Sequence, residues 1–219
     1  MVYDATTKKF FEYSLRCARE SGFINNVYFS SNPLKLYLAR SNLVMIIYAV
    51  QHVNNKINVL DFGLGFGILL PAPSEIFVRI VGLDVDENKL TLAAKIIRSN
   101  SIHNVNLVCR SLDVEFDDFY DESFDSIVAD NVLEHISYHY QILQNFYRIP
   151  RTDGFLIITL PSENAIYRMF ESKNDGHILR SIKDIHSLLV RIGKDFIEVG
   201  SFDAAPNFLT RIFSKPVEA

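Results

Sequence analysis

The segment from Val59 to Gly67 constrains this chain more than any other. An apolar run ends in the carboxylate of Asp61, and glycines follow at alternate positions, Gly63, Gly65 and Gly67. Glycine permits positive φ angles and lets a ligand approach bare backbone. Backbone N–H groups ahead of a helix then donate to an acceptor group on that ligand. The pattern predicts a buried strand, a tight turn and a binding site directly after it.

Two phosphate-binding patterns fit the same segment less well. A dinucleotide fingerprint needs GxGxxG, but the third glycine comes one residue early and Ile68 stands where Gly or Ala is required. A P-loop needs Gly-Lys followed by Ser or Thr, which is missing. A turn that binds nothing is a further alternative, but three alternating glycines lose backbone entropy on folding without an evident packing return.

Strand and helix patterns alternate from residue 57 onward. Helices are predicted at 5–22 and, with Ser41 as N-cap, up to about Val53, with a loop at 23–34 between them. Later helices are predicted at 86–100, 132–148, 163–171 and 181–193, and strands at 57–62, 79–84, 105–109, 125–130, 154–160, 196–202 and 208–214. Such alternation is typical of a parallel sheet with crossover helices.

These elements predict an α/β fold of the Rossmann-like, doubly wound type. We expect a mostly parallel seven-stranded sheet with an antiparallel last strand and an N-terminal helical extension. The sequence contains no repeat and no linker, and 219 residues suit one large domain. We therefore expect a single domain over 1–219, with a helical cap at 1–55 and a cofactor-binding core at 56–219.

Composition excludes several classes of partner. The net charge is -4 and the Lys and Arg residues are scattered, which argues against nucleic acid as an extended partner. The longest apolar run, Leu43–Val50, is too short to span a bilayer, and the first residues lack the apolar core of a signal peptide. We expect a cytoplasmic protein with no membrane partner, with Cys17 and Cys109 as reduced thiols and no zinc site.

Acidic residues end or follow the next two predicted strands. Asp84 ends Ile80–Asp84, and a carboxylate there accepts hydrogen bonds from both ribose hydroxyls of an adenosine, although a nicotinamide cofactor fits as well. Ser111-Leu-Asp-Val114 follows the third strand. Three further segments are Phe124–Val128, Asn131–Ile136 (NVLEHI) and Arg151–Pro161 (RTDGFLIITLP).

In this order, these segments resemble the motifs of the class I S-adenosylmethionine-dependent methyltransferases. The late helix from His177 to Gly193 resembles that of the small-molecule branch, which includes ubiquinone-pathway O-methyltransferases. The resemblance covers about residues 40–202. It implies S-adenosylmethionine as cofactor, bound by nine residues: Asp61, Gly63, Gly65, Gly67, Asp84, Val85, Asp113, Val114 and Asn131.

Three departures from the family pattern matter. Pro71 and Pro73 fall in the first crossover helix, which we therefore expect to be short, delayed or replaced by a loop. Thr152-Asp-Gly154 replaces the usual Pro-Gly-Gly. Some relatives hold a divalent metal with Glu-x-x-Glu-His, but Asn131 takes the place of the first Glu, so we expect no metal.

The resemblance places His135 and Glu134 near the methyl group, and they are the candidate catalytic residues, with His135 as base. A capping or packing role for His135 is the alternative, and His177 is a second histidine for the same cleft. The sequence lacks [DN]PP[YF] after the fourth strand and a Pro-Cys nucleophile, which argues against two other methyltransferase classes. Segments 1–55 and 161–182 are expected to cover the acceptor side. Their aromatic residues hint at an apolar acceptor, although core packing explains them too.

The preferred interpretation is methyl transfer by in-line displacement to a small molecule, at oxygen or else at nitrogen or carbon. A non-catalytic binder of S-adenosylmethionine or S-adenosylhomocysteine is the alternative from another class. A nicotinamide-dependent oxidoreductase is a third hypothesis, and a protein or RNA acceptor is a further variant. The sequence leaves the oligomeric state open.

Overall fold

Helices precede a region in which strands and helices alternate. The computed structural model describes residues 4–23, 27–111, 116, 119–161, 182–191, 197–204 and 208–215. Its helices are α1 (Ala5–Glu20), α2 (Pro33–Gln51), α3 (Pro71–Ser74), α4 (Glu87–Ser99), α5 (His139–Arg148) and α6 (Ile182–Arg191). Its strands are β1 (Asn58–Phe62), β2 (Arg79–Asp84), β3 (Val105–Cys109), β4 (Phe124–Asp130), β5 (Pro150–Pro161), β6 (Ile197–Ala204) and β7 (Phe208–Ser214).

The strands of the described residues form one seven-stranded sheet in the order β3-β2-β1-β4-β5-β7-β6. The first five strands in this order, β3, β2, β1, β4 and β5, are parallel to one another, whereas β7 is antiparallel to both of its neighbours, β5 and β6. The chain therefore builds outward in opposite directions from β1 and β4, which confirms the doubly wound prediction with its antiparallel last strand. The point where the order reverses is the usual ligand position in such sheets.

Side chains alternate between the two faces of the sheet and bury two hydrophobic cores. Leu60 and Phe62 of β1 pack in a core with α5 and α6. Val59 of the same strand packs in the other core, with α1, α2 and α4. Helices thus cover both faces, which is why the central strands are apolar at nearly every position.

Helix α2 starts earlier than the sequence predicts. Asn32, not Ser41, is the N-cap: its side-chain oxygen accepts from the N–H groups of Leu34 and Lys35 at 3.0 and 3.2 Å. Pro33 occupies the first turn, where its missing N–H costs nothing. The Ser41 prediction is wrong because Pro33 opens the helix where we expected it to close a loop. The prediction for α1 is confirmed, with Asp4 as its cap.

The first crossover helix is a single turn. Helix α3 contains both prolines within Pro71–Ser74. The amide of Asn104 closes the segment by donating to the carbonyls of Ser74 and Phe77 at 2.9 and 2.8 Å. The prediction that Pro71 and Pro73 shorten this helix is confirmed.

The helix predicted at 132–148 is divided in two. A 3₁₀ turn covers Leu133–His135, and α5 begins only at His139. The imidazole Nε2 of His139 lies 2.8 Å from the carbonyl oxygen of Leu133, so a side chain bonds where a continuous helix would place a backbone N–H. The single-helix prediction is therefore wrong between 132 and 138.

Strand β5 begins four residues before its predicted start. Asp153 and Gly154 lie inside it, and Asp153 has a φ of 64°. Asp153 N–H donates to the carbonyl of Lys215, and Lys215 N–H donates to that of Gly154. The predicted turn is thus an irregularity within a paired strand. The predicted helix at 163–171 lies outside the described residues, and no helix in the described part combines the length and apolarity needed to cross a membrane.

Candidate functional site

A cavity of about 600 Å³ opens at the carboxyl ends of β1, β2 and β4. This volume is in the range of small-molecule sites. The residues that line it come from the strand ends, the glycine turn and the N-terminal segment: Tyr28, Leu43, Asp61, Gly63, Leu64, Gly65, Phe66, Ile68, Leu69, Asp84, Val85, Lys89, Asp130, Asn131, Val132 and His135.

The glycine turn wraps the end of β2. The N–H groups of Gly63 and Leu64 both donate to the carbonyl of Leu83, at 2.9 and 2.8 Å. Gly63 has a φ of 76°, and a Cβ there would lie 2.4 Å from Cγ2 of Val132. Gly65 has a φ of 57°, but a Cβ there would meet no atom within 4 Å. Gly63 is therefore required by packing, whereas Gly65 presents bare backbone to the cavity.

Gly67 lies where the turn meets α4. A Cβ on it would lie 2.7 Å from the Cβ of Ala93, so this glycine lets α4 approach the turn. Gly67 is not among the residues that line the cavity. Its predicted contact with the cofactor stays a prediction.

The Asp84 carboxylate is fixed from both sides. Its Oδ2 accepts from the N–H of Gly65 at 2.8 Å, and its Oδ1 accepts from the N–H of Asp86 at 2.9 Å. The residue is 4% exposed and lines the cavity. Each carboxylate oxygen has more than one lone pair, so a ligand hydroxyl still finds an acceptor. Val85 follows with 60% exposure and lines the cavity too.

Asp61 carries a buried carboxyl with an unused oxygen. The residue is 4% exposed, and its Oδ2 has no hydrogen-bond partner. Burial, and to a smaller extent the neighbouring carboxylates of Asp130 and Asp84, raise the pKa of the Asp61 carboxyl to about 8. A buried acceptor of this kind is costly unless a ligand supplies the missing donor.

Asp130 lies on the next strand and is held by two amides. Nδ2 of Asn42 and Nδ2 of Asn131 both donate to its Oδ1, each at 2.8 Å. Burial raises the pKa of the Asp130 carboxyl to about 6, against the lowering effect of the Asn42 hydrogen bond. Asn131 has a φ of 47°, and this left-handed backbone turns the chain back under the cavity.

The two predicted catalytic residues lie in different surroundings. The side chain of His135 is exposed and lines the cavity. Glu134 is 1% exposed and does not line it, and its Oε2 has no partner. Burial raises the pKa of the Glu134 carboxyl to about 8. The structure thus places His135 at the cavity, whereas Glu134 is buried and is not among the residues that line it.

Several predicted residues lie beyond what the structure describes. Asp113, Val114 and His177 are outside the described residues. Within the described part, no group of three or more His, Cys, Asp or Glu side chains is arranged to hold a metal ion. Cys17 is buried and Cys109 is exposed, and both are free thiols.

Sequence reasoning missed Asp130, Tyr28 and the apolar wall of Leu43 and Leu69. Asp130 was detectable, because it ends a strand with the same side-chain parity as Asp61. Tyr28 and Leu43 belong to the N-terminal segment, where no pattern in the sequence points to a ligand. Lys89 was also missed, and its ammonium lies 6.0 Å from the ring centroid of Phe66 at the mouth of the turn.

Comparisons with known proteins agree with this geometry. A protein-family model described as a methyltransferase domain matches residues 60–158. A ribosomal protein L11 methyltransferase of Lactobacillus gasseri is 36% identical over 92 residues, which are 41% of this chain and 29% of that protein. A ubiquinone biosynthesis O-methyltransferase of Glaesserella parasuis is 29% identical over 129 residues, covering 53% of this chain and 52% of that protein. The match thus spans about half of these relatives or less.

A solved structure extends the likeness to nearly the whole chain. The crystal structure of an S-adenosylmethionine-dependent methyltransferase from Aquifex aeolicus matches with a TM-score of 0.66 at 14% identity. The match covers 91% of this chain and 98% of that one. At this identity the likeness establishes the fold alone.

Proposed function

Because residues 60–158 belong to a methyltransferase domain of the class I S-adenosylmethionine-dependent type, we propose that this chain methylates a small molecule, with oxygen as the favoured nucleophile. The observation that carries the proposal is the cavity itself. It gathers the bare backbone of Gly65, the fixed carboxylate of Asp84 and a carboxyl of Asp61 whose Oδ2 has no partner among the described residues, all at the carboxyl ends of β1 and β2.

The residues present fit S-adenosylmethionine. Asp84 suits the two ribose hydroxyls, since charge-assisted hydrogen bonds contribute about 1.5–3 kcal/mol each. The unused oxygen of Asp61 suits the positively charged amino group, and the open backbone at Gly65 leaves room for the adenosyl moiety. Among the lining residues three are carboxylic acids and one is a lysine, so the cavity favours a cation. We keep Val85, Asn131, Asp113 and Val114 in the proposed binding set.

The bound cofactor supplies a methyl group already activated on a sulfonium, which a nucleophile displaces in line. The chain then has to align the acceptor and exclude water. We place His135 on the acceptor side, because it is exposed and lines the cavity at the end of the 3₁₀ turn. Glu134 stays a prediction, and its buried position favours support of that turn over contact with the acceptor.

Support for an oxygen acceptor comes from the ubiquinone biosynthesis O-methyltransferase relative. The ribosomal protein L11 methyltransferase relative makes a protein acceptor the alternative. We favour a small molecule because the cavity is lined by Tyr28 and Leu43 from the N-terminal segment as well as by the core. We accordingly infer that residues 1–55 act as a cap on a single domain that continues to residue 219.

Calorimetry with S-adenosylhomocysteine tests the cofactor site. We expect wild-type protein to bind it. The affinity of Asp84→Ala should fall by a factor of about 100 or more, because two charge-assisted hydrogen bonds are lost. Glu87→Ala is the matched control, since Glu87 is an exposed acid three residues along that does not line the cavity. No heat with wild-type protein, or equal affinity for the Asp84 variant, would refute the proposal.

Turnover separates an enzyme from a binder. Labelled S-adenosylmethionine incubated with a metabolite extract should yield labelled small molecules. Binding without any transfer, to small molecules or to protein, would favour the non-catalytic alternative. Titration with NADH tests the oxidoreductase alternative, and tight binding of NADH would support it.

A further inference from the structure

Two acids, Asp61 and Asp130, lie side by side on one face of the sheet. In the register of β1 and β4, Asp61 is opposite Val128, so Asp130 lies two residues farther toward the carboxyl edge. Side chains two residues apart in a strand point to the same face. Asp61 and Asp130 therefore both project toward α2, and the side chain of Asn42 in α2 reaches Asp130.

The two oxygens of Asp130 are used unequally. Both amides, from Asn42 and Asn131, donate to Oδ1. Within the described residues, no hydrogen bond to Oδ2 is formed. Asp130 is half-buried and lines the cavity. Its carboxylate is thus oriented by two donors on one oxygen, which leaves the other to a ligand.

A second and independent observation indicates that this corner of the cavity is built for a ligand. Asp61 is 4% exposed and lines the cavity, and its Oδ2 has no partner among the described residues. If Asp61 takes the amino group of the methyl donor, as proposed above, Asp130 has no such cation left to it. The chemistry open to a second oriented carboxylate is to accept a hydrogen bond, and then a proton, from the methyl acceptor.

We infer that Asp130 is the proton acceptor for a hydroxyl-bearing methyl acceptor, and that Asn42 of the N-terminal cap is the residue that positions it. This inference rests on the proposed function. In the step, the O–H bond of the acceptor breaks and its proton passes to the carboxylate of Asp130. The acceptor oxygen bonds to the methyl carbon, and the electron pair of the sulfur–methyl bond returns to sulfur, which becomes a neutral thioether.

The surroundings suit a base at neutral pH. Burial, and to a smaller extent Asp130, raises the pKa of Tyr28 from the N-terminal segment, of Asp61 from β1 and of Glu134 from the 3₁₀ turn. The cavity that Asp130 lines is also lined by three other charged or titratable residues, Asp84, Lys89 and His135. Burial, and then Asp130 itself, raises the pKa of the Tyr28 hydroxyl, so that hydroxyl stays protonated. A carboxyl with a pKa near 6 is ionised at pH 7 and yet more basic than an ordinary aspartate.

The test compares Asp130→Asn with wild type on a hydroxyl panel and an amine panel. The hydroxyl probes are phenol, catechol and a primary alcohol, and the amine probes are the matching aniline and alkylamine. Asparagine keeps a carbonyl oxygen for the two amides and loses only the base. We expect wild type to methylate a hydroxyl probe, and kcat of the variant to fall about 100-fold or more.

The pH profile gives a readout that a structural role would not move. At saturating cofactor, kcat of wild type should rise with pH through about 6 and then level off, and Asp130→Asn should lose this limb. Asn42→Ala removes a hydrogen bond that lowers the pKa of Asp130. The rise of kcat with pH should therefore occur at higher pH in Asn42→Ala than in wild type, and its kcat should fall less than that of Asp130→Asn. Glu87→Gln, on the exposed first turn of α4, is the control for both.

A binding measurement stands beside the activity. In the presence of S-adenosylhomocysteine, catechol should bind Asp130→Asn about tenfold more weakly than wild type, since a charge-assisted hydrogen bond is lost. The inference is overturned if the variant retains the rate or the acid limb, or if wild type methylates no hydroxyl probe. Unchanged affinity of every variant for S-adenosylhomocysteine shows that such a failure concerns Asp130 alone and leaves the cofactor proposal standing.

Discussion

The two edges of the sheet each bury an aspartate, and they treat it in opposite ways. At the amino edge, Asp125 is 2% exposed, and its Oδ2 accepts from the N–H groups of Ile57 and Asn58 at 2.8 and 2.6 Å. Its Oδ1 accepts from Arg151 at 3.0 Å. At the carboxyl edge, Asp61 is 4% exposed, and its Oδ2 has no partner.

This difference separates an architectural acid from a binding acid. A buried carboxylate that is fully hydrogen-bonded ties neighbouring strands together, as Asp125 ties the start of β1 to β4. A buried carboxylate left incomplete lowers the stability of the ligand-free protein and gains its partner from a ligand. The contrast teaches that hydrogen-bond completeness, and not burial, distinguishes the two edges.

The largest effect on folding is expected at the amino edge. Asp125→Ala leaves two backbone N–H groups and Arg151 without their acceptor, and should lower the free energy of unfolding by about 4 kcal/mol. Asp125→Asn is the matched control, because it keeps one acceptor oxygen and should lose less. Denaturant unfolding gives both values. The contrast fails if Asp125→Ala is as stable as wild type, or if it weakens binding of S-adenosylhomocysteine in the folded protein.

A pair of glycine variants sharpens the comparison within the carboxyl edge. Gly63→Ala forces a methyl group against Val132 at a positive φ and should cost about 3 kcal/mol of stability. Gly65→Ala has open space around it and only the backbone strain, about 1–2 kcal/mol. Thermal unfolding should show a larger loss of stability for Gly63→Ala than for Gly65→Ala. Calorimetry should show that Gly65→Ala binds the cofactor more weakly than wild type. The reverse order in unfolding would contradict the assignment of Gly63 to packing.

A third comparison concerns the pH dependence of stability at the carboxyl edge. The pKa of Asp61 is raised on folding to about 8, so the folded state holds this proton more tightly than the unfolded state. Stability from this group is therefore greatest at low pH and declines as pH rises toward 8. Asp61→Asn should lack that decline, so its melting temperature relative to wild type should be higher at pH 8.5 than at pH 5.5.

Two further measurements complete this test. Asp121→Asn removes an acid whose side chain is 70% exposed and which pairs with Arg148, and it serves as the comparison variant. Asp61→Asn should also bind S-adenosylhomocysteine more weakly, because the charge opposite the amino group is gone. A parallel pH dependence in variant and wild type would mean that Asp61 keeps an ordinary pKa.

Most of the fold was predictable because local patterns decide it. The apolar runs of β1 to β5 and the acid-to-glycine turn predicted these strands. Pro71 and Pro73 predicted a first crossover helix that is short, delayed or replaced by a loop, and the structure has a single turn there. The failures came where two local signals compete. Asn32 and Ser41 are both acceptable caps, and the choice was made by Pro33. The break after Leu133 depends on a contact from His139, which no pattern within the segment reveals.

The site residues, too, fall into those that local sequence predicts and those that depend on tertiary contacts. Gly65 and Asp84 were predicted, and the structure places them together because both follow from one strand–turn sequence. Gly67 is assigned to the cofactor by the sequence, and that contact stays a prediction; its close approach to Ala93 depends on the position of α4, which no local pattern reveals. Asp130 was overlooked, since its partner Asn42 is 88 residues away in the chain.

The sequence by itself determined the α/β fold, the glycine turn and the acid that follows the second strand, because each depends on residues close together in the chain. Only the tertiary structure decided which buried acids are complete and which await a ligand. The backbone partners of Asp125 and the Asn42 partner of Asp130 come from segments distant in sequence, and Oδ2 of Asp61 finds no partner among the described residues. Which acids are completed in this way is fixed only when these segments pack together.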